Sequence, residues 1–500
     1  MNLSKSDTTK RLRTEFLWRL SKATLLEKDI TWCKEHTTKL IRIPIYPLLP
    51  DIQYVWQELT TNLPVLARAI PDLEPLASLI LEKCHEQKKI NDKVLMEQTR
   101  ILRLLHENAI QPTLLKGASV RALLGCEEGM NDTDILLADF DTMVRVLGVS
   151  ERAGYHVSGI RLQLGGTESA PVLVGNCDAY LNERGRSTRI QSDWDKGWLR
   201  TLDVHLGALY VVGTTTLKSD IIVRAVDANL DGIPVKIPCL HDMLLIEFAH
   251  LTSHGTLSMR GVNRCYRLLN IFQEKVDLDV LAAEIVESSL QVHALAVLDL
   301  LKTDFEFECP LRDAFHARGG RLSKVSEFAI DGLVGARSVS RYGAGTLASS
   351  FAQTLHYFNA RKQENPLGRF VSIFPVWLNL FRQRKQFPLV IRPWVTRRLG
   401  WVTKRQPYLN LIKIDDTALT FSGKRHTSVQ FGNRRCDLTW VGQNVVLIAK
   451  GKQDEILMTP IGTFTSAGYD GELDAKSTRH CETLAGIAHR YFAESTAKSN

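Results

Sequence analysis

Between Leu76 and Ile110 apolar residues recur at spacings of three and four: Leu79, Ile80, Ile90, Val94, Leu95, Ile101, Leu102, Leu104 and Leu105. That period predicts amphipathic helices rather than strands. Residues 1–110 are therefore read as a helical N-terminal region that ends near Glu107-Asn108, with Pro112 opening the next element. From 111 to 240 the pattern changes. Thr113-Leu114-Leu115 is a short apolar run that leads to Gly117, and Ala118 to Leu124 suits a helix. Thr133 to Ala138 is a second apolar run, Asp139 to Ala153 is helical in pattern and stops at Gly154, and Tyr155 to Ile160 and Leu202 to Leu206 read as strands. Strands alternating with helices predict an α/β layer. Residues 241–400 return to helical periodicity, most clearly over Met243 to His250 and Arg264 to Phe272. Residues 401–500 carry short β-type runs starting at 409, 418, 428, 437 and 444, with Gly, Asn and Asp between them, as hairpin turns require. They predict a small β-rich C-terminal domain closed by a helix over Cys481 to Glu494.

Composition narrows the class. The chain has 500 residues, 44% apolar and 24% charged, which excludes wholesale disorder and leaves room for about three domains. No internal repeat stands out, which argues against a solenoid. No apolar run reaches the ~18 residues of a spanning helix; the longest, Phe370 to Phe381, is broken by Pro375. The N-terminus is basic without an apolar stretch behind it, unlike a secretory signal. Nine cysteines stand as singletons with no C-x-x-C pair, which points to reduced thiols in a cytoplasmic setting and away from structural zinc. The net charge of +8 permits an anionic partner without requiring one. Arg382 to Arg405 holds eight basic residues, no acid, and Trp394 and Trp401 between them. It offers a route to nucleic acid or to an anionic surface, but is read first as a solvated junction paired with acids elsewhere.

Candidate chemistry centres on Asp132-Thr133-Asp134, followed by Ile135-Leu136-Leu137. On a strand, residues i and i+2 share a face. Two carboxylates about 4 Å apart repel by ~4 kcal/mol at an effective dielectric of 20, so a cation between them, or protonation of one, is required. Oxygen-only donors favour Mg²⁺ or Mn²⁺. Upstream, Lys116-Gly117-Ala118-Ser119 joins a short strand to a helix. A helix start offers free N–H groups and positive dipole to a phosphate, with Lys116 and Ser119 as further donors. Downstream, alternation in Leu202-Asp203-Val204-His205-Leu206 puts Asp203 and His205 on one face, and Asp203 is a candidate third carboxylate. His250 and His254 share a helix face but lack a carboxylate partner motif, so they are not read as a metal site. Gly343 to Ala348 imitates a dinucleotide fingerprint, but the residues before it are too polar for a buried strand. The signatures of P-loop NTPases, zincins and α/β-hydrolases do not occur.

Taken together, Leu115 to Ala118 ("LKGA"), Asp132 to Leu137 ("DTDILL") and Asp203-Val204-His205 ("DVH"), preceded by the amphipathic helix over Ile101 to Asn108, resemble the polymerase-beta-like nucleotidyltransferase superfamily. The likeness is nearest to its uncharacterised nucleotidyltransferase family, in which a later helix with His and then Arg is similar to Ala249-His250 and the stretch from Arg260 to Arg267. The resemblance spans about residues 75–390. Three positions depart from the family pattern: Ala118 stands where a Ser is usual, Glu127-Glu128-Gly129 where an Arg commonly precedes the acids, and Asn270 where an Asp is often seen.

The resemblance implies an α+β fold: a polymerase-beta-like core of mixed sheet and helices over 111–240, flanked by helical regions 1–110 and 241–400, with the β-rich domain 401–500 outside it. It implies Mg²⁺- or Mn²⁺-dependent transfer of a nucleoside monophosphate from an NTP to a hydroxyl, releasing pyrophosphate. Asp132, Asp134 and Asp203 would be the catalytic metal ligands. Lys116, Gly117, Ala118 and Ser119 would hold the nucleotide, with His205 and His250 supporting the site. The acceptor is open, a small molecule or protein being preferred over an RNA end. The alternative is a nucleotide- or partner-binding module of the same fold that does not turn over.

Overall fold

A computed structural model of the chain describes residues 5–44, 49–125, 132–157, 159–167, 170–182, 198–209, 217, 220–317, 324–335, 339, 351–353, 355, 356 and 359, and the backbone of short strands between 409 and 466. The N-terminal region is built from α1 (Lys5–Leu20), α2 (Glu27–Leu40), α3 (Leu49–Ala69) and the long α4 (Glu74–Glu107). Ile80, Val94, Leu95, Ile101, Leu102 and Leu105 of α4 are buried, as their spacing predicts, together with Leu76, Ala77 and Cys84, whereas Leu79 and Ile90 of the same pattern face outward. At 1.5 Å per residue α4 is about 50 Å long, and it belongs to two cores. Its first half packs with α1–α3 in a helical cluster, and its second half covers one face of a sheet.

The sheet follows. β1 (Thr113–Leu114) leads into α5 (Lys116–Leu124), then come β2 (Asp132–Leu137) and α6 (Phe140–Arg152). The chain continues through β3 (Tyr155–Val157), β4 (Gly159–Thr167) and β5 (Ala170–Asn182) to β6 (Trp198–Leu206), and β7 (Val226–Leu230) and β8 (Ile233–Ile237) form a hairpin. The order β6-β2-β1-β8-β7 makes a mixed five-stranded sheet, parallel at β2/β6 and β1/β8 and antiparallel elsewhere. β5 adds antiparallel to β6. Several details differ from the sequence reading. α5 begins at Lys116 rather than Ala118, the strand expected over Tyr155 to Ile160 is divided between β3 and β4, β6 starts at Trp198 rather than Leu202, and β5 and the β7/β8 hairpin are additions. That hairpin turns on Asp231-Gly232, both at positive φ, as a two-residue turn requires.

Alternation decides what each sheet face carries. Ile135 and Leu137 of β2, with Leu202, Val204 and Leu206 of β6, pack under α4 and α6. Asp132, Asp134 and Leu136 take the other face, where Leu136 joins the helical cluster. That cluster includes α7 (Leu240–His254), α8 (Met259–Phe272), α9 (Leu278–Glu287) and α10 (Gln291–Phe305). The N-terminal helices are pinned to it. The Trp18 indole donates to Asp304 at 2.6 Å, and Asn62 Nδ2 donates to the carbonyls of Leu20 and Lys22, each at 2.9 Å. α3 and α8 are joined by Arg267 Nη2 and Glu58 Oε1, 2.9 Å apart.

Cys33, Cys84, Cys239, Cys265 and Cys309 are free thiols. No helix among the described residues is long and apolar enough to cross a membrane. Between Leu409 and Ser466 the backbone forms short antiparallel strands. Their side chains, the helix expected over Cys481 to Glu494, the basic stretch Arg382 to Arg405 and residues Glu127-Glu128-Gly129 lie outside the described residues.

Candidate active site

β2 and β6 run parallel in a register that sets Asp134 opposite Asp203 and Leu136 opposite His205. Leu202, Val204 and Leu206 are buried, while Asp203 and His205 alternate to the other side. His205 Nε2 lies 3.2 Å from Asp203 Oδ2 and 3.6 Å from Asp134 Oδ1. Asp134, Asp203 and His205 each offer a donor atom within 4.8 Å of the others, the sole such group of metal-capable side chains among the described residues. Asp203 Oδ1 and His205 Nδ1 are buried without a hydrogen-bond partner among the described residues.

Charge in this cluster is balanced locally. Lys116 Nζ donates to Asp134 Oδ1. Burial alone would raise the Asp134 pKa, but Lys116 and His205 hold it well below the usual carboxylate range. Burial would likewise lower His205, and Asp203 and Asp134 instead lift it to about 9. Lys116 is pulled down by burial and raised above its ordinary value by Asp134, Asp203 and Asp132.

The turn from β1 into α5 places the lysine. Leu115 is extended and donates its N–H to the Asp134 carbonyl at 3.0 Å. Lys116 then takes φ of 51°, a left-handed conformation, and α5 starts. The strained residue is therefore Lys116; Gly117 lies within the first turn of the helix. Helical geometry separates the four residues expected to cradle phosphate. Lys116 and Gly117 line a cleft. Ala118 packs into the core under α4, and the buried Ser119 donates its hydroxyl to the Lys116 carbonyl at 2.8 Å.

The cleft encloses about 540 Å³, open mouth included. Lys116, Gly117, Asp132 and Asp134 form one wall. The other comes from α7 and α8: His250, Ser258, Arg260, Gly261 and Arg264, with Tyr54 of α3 and Val339 beside them. Asp203 and His205 do not line it; they meet Asp134 at its edge. α8 begins on Ser258, whose hydroxyl accepts from the Gly261 N–H at 3.4 Å. Gly261 allows α7 to come close, since a Cβ there would lie 2.7 Å from Leu251 Cδ2. Arg264 is buried in an ion pair with Glu247, 3.2 Å apart. His250 meets His254 edge to face, ring centroids 4.5 Å apart. Asn270 is exposed on α8, away from the cleft lining.

Of the residues expected at the site, Lys116, Gly117, Asp132, Asp134 and His250 line the cleft and Asp203 and His205 meet Asp134; the sequence reading does not single out Tyr54, Ser258, Gly261 or the Glu247–Arg264 pair. Ser258 had a signal: a Ser capping a helix just after Gly255, which ends α7 in a left-handed conformation. Tyr54 had none.

Among known proteins, the model of the uncharacterised nucleotidyltransferase family matches residues 60–305. No curated protein matches the chain. Two solved structures do, a candidate nucleotidyltransferase from H. pylori and JHP933 from Helicobacter pylori. They are 14% and 12% identical, cover 54% of this chain and 97% and 92% of their own, and superpose with a TM-score of 0.23 in each case. Superposition that loose carries no argument of its own. The family match does, because its span contains Lys116, Gly117, the acids of β2 and β6, and the Arg260 and Arg264 wall. It is to the uncharacterised nucleotidyltransferase family that residues 60–305 of this chain are matched.

Proposed function

We propose that the chain is a Mg²⁺-dependent nucleotidyltransferase (Mn²⁺ serving as well) that moves a nucleoside monophosphate from an NTP to a hydroxyl acceptor. One observation supports this reading: Asp134 and Asp203, from two strands, meet with His205 at the edge of a cleft that Asp132 also lines and whose two walls carry Lys116, Arg260 and Arg264.

The donor set fits a hard divalent cation. Asp132, Asp134 and Asp203 offer oxygen donors, and Asp203 Oδ1 is buried without a hydrogen-bond partner among the described residues. Lys116 and a protonated His205 carry the positive charge that keeps these acids together. Asp132, Asp134 and Asp203 would hold the ion, which when bound neutralises triphosphate charge and polarises the α-phosphate. The remaining work belongs to the chain. Gly117, at the start of α5, presents backbone N–H groups to the triphosphate. Lys116, Arg260 and Arg264 offset charge that grows on the leaving pyrophosphate. Asp203, at the edge of the cleft, takes the proton of the acceptor hydroxyl. The acceptor oxygen bonds to the α-phosphorus as the α–β phosphoanhydride bond breaks, and pyrophosphate leaves. A small molecule or a protein side chain is the favoured acceptor, an RNA end the other.

The test is incubation with labelled NTPs and Mg²⁺. Pyrophosphate release, with label on an acceptor or on the chain itself, should vanish in Asp132→Ala. Tight NTP binding without turnover across a broad set of acceptors would instead support a binding module of this fold.

A further inference from the structure

We propose that Tyr54, with Arg260 layered against its ring, is the platform on which the nucleobase stacks; this rests on the nucleotide reading above. Most of the cleft lining is charged or backbone. Lys116, Arg260 and Arg264 answer phosphate oxygens, and Asp132 and Asp134 answer a cation. A nucleobase needs a flat apolar surface instead. Among the described lining residues only Tyr54 and His250 carry rings, and the His250 ring is already engaged edge-on by His254.

Tyr54 is held for this purpose by its own helix. α3 breaks at Val55, where φ is −137° and ψ is 18°. Val55 and Trp56 are buried in the helical core, while Tyr54 stays half-buried at the cleft. The Arg260 guanidinium carbon lies 5.6 Å from the Tyr54 ring centroid, within cation–π range. One turn further along α3, Glu58 pairs with Arg267 of α8. Two rungs thus fix Tyr54 against α8, so the platform is built before any ligand arrives. Val339, buried and apolar, lines the same cleft. Tyr54 precedes the segment that matches the family model and Val339 follows it. The polar half of the cleft is family core, and the apolar half is supplied by flanking chain. Every base presents a π-face, so the platform adds affinity without choosing among bases.

The experiment is calorimetric titration of the full chain with two probes in Mg²⁺: α,β-methylene-ATP, which carries a base, and inorganic tripolyphosphate, which does not. Tyr54→Ala should weaken α,β-methylene-ATP by about tenfold or more and leave tripolyphosphate unchanged. Tyr54→Phe should keep both, and α,β-methylene-GTP should follow the adenine probe. Where Tyr54→Ala unfolds, Tyr54→Leu, which keeps bulk without a ring, reads the same way. Unchanged α,β-methylene-ATP affinity, or equal loss for both probes, overturns the platform while the nucleotide reading stands. A wild-type chain that binds neither probe overturns the nucleotide reading and the platform with it.

Discussion

Asp134 of β2 and Asp203 of β6 are register partners in a parallel strand pair, so two carboxylates from segments far apart in sequence stand side by side. Neighbouring strands are ~4.8 Å apart, and Lys116 and His205 stand against the two acids. A divalent cation that binds only the folded chain adds stability by mass action, ~2.7 kcal/mol at a hundred times its dissociation constant. Mg²⁺ or Mn²⁺ should therefore raise the melting temperature over that in EDTA. Asp203→Asn should remain folded in EDTA and lose this increment, together with ~10²-fold or more in transfer rate. A metal-induced shift of unchanged size in Asp203→Asn, read by differential scanning fluorimetry, would show that the acids do not share an ion.

Lys116 offers a test of backbone strain at the site. Lys116→Gly and Lys116→Ala both remove the ammonium from Asp134, so the difference between them isolates φ. An L-residue in the left-handed region costs ~1–2 kcal/mol, which glycine avoids. Despite glycine's greater freedom when unfolded, Lys116→Gly should be the more stable of the two by ~1 kcal/mol in urea unfolding. The reverse order would mean that Lys116 is relaxed at its φ of 51°.

These residues also show what the chain reveals before it folds. Asp132, Asp134, Asp203 and His205 were legible because strand alternation is strict: Asp203 and His205 alternate with the buried Leu202, Val204 and Leu206, and Asp132 and Asp134 lie on the face opposite Ile135 and Leu137. Lys116 to Ser119 was legible as a strand-to-helix junction but not in its details. A helix rotates each residue by about 100°, so only Lys116 and Gly117 reach the cleft while Ala118 and Ser119 turn inward. The β7/β8 hairpin carries Asp231-Gly232, a strong turn signal, yet Val226 to Leu230 is too polar to stand out as a strand. Tyr54 and Arg264 come from helices whose pairing is tertiary. No local pattern announces that α3 and α8 will lie together.

Arg264 has a structural as well as a cleft-lining position, and the two can be separated. It is 5% exposed and its partner Glu247 2% exposed, so neither charge has water to fall back on. Arg264→Met strands a buried carboxylate and should cost ~3–5 kcal/mol. Arg264→Met combined with Glu247→Leu removes both charges and should recover most of that loss. The double variant should still bind tripolyphosphate more weakly than the wild type, because the cleft has lost a cation. Full recovery of stability and of anion binding together would leave Arg264 with no part in the cleft.

Away from the site, two buried histidines set an acid limit on the fold. His293 of α10 is fully buried, and neither ring nitrogen has a hydrogen-bond partner among the described residues. Burial, helped by the nearby His356, pushes its pKa down to about 3. Burial lowers His356 to about 4, against a raising hydrogen bond between its Nδ1 and the Ser289 carbonyl at 2.8 Å. In the unfolded chain both titrate near ~6.5. Above that value both states hold neutral imidazoles and neither histidine makes stability depend on pH. Between about 6.5 and 4 the unfolded chain binds protons that the folded chain refuses, so stability falls with acidification by up to ~1.4 kcal/mol per pH unit for each histidine. Below about 3 the folded chain protonates too and the slope from this pair ends. Urea unfolding between pH 7.5 and 4 should show this decline, and His293→Leu should flatten it by about one proton's worth of slope. An identical slope in wild type and His293→Leu would mean that His293 takes up its proton equally in both states.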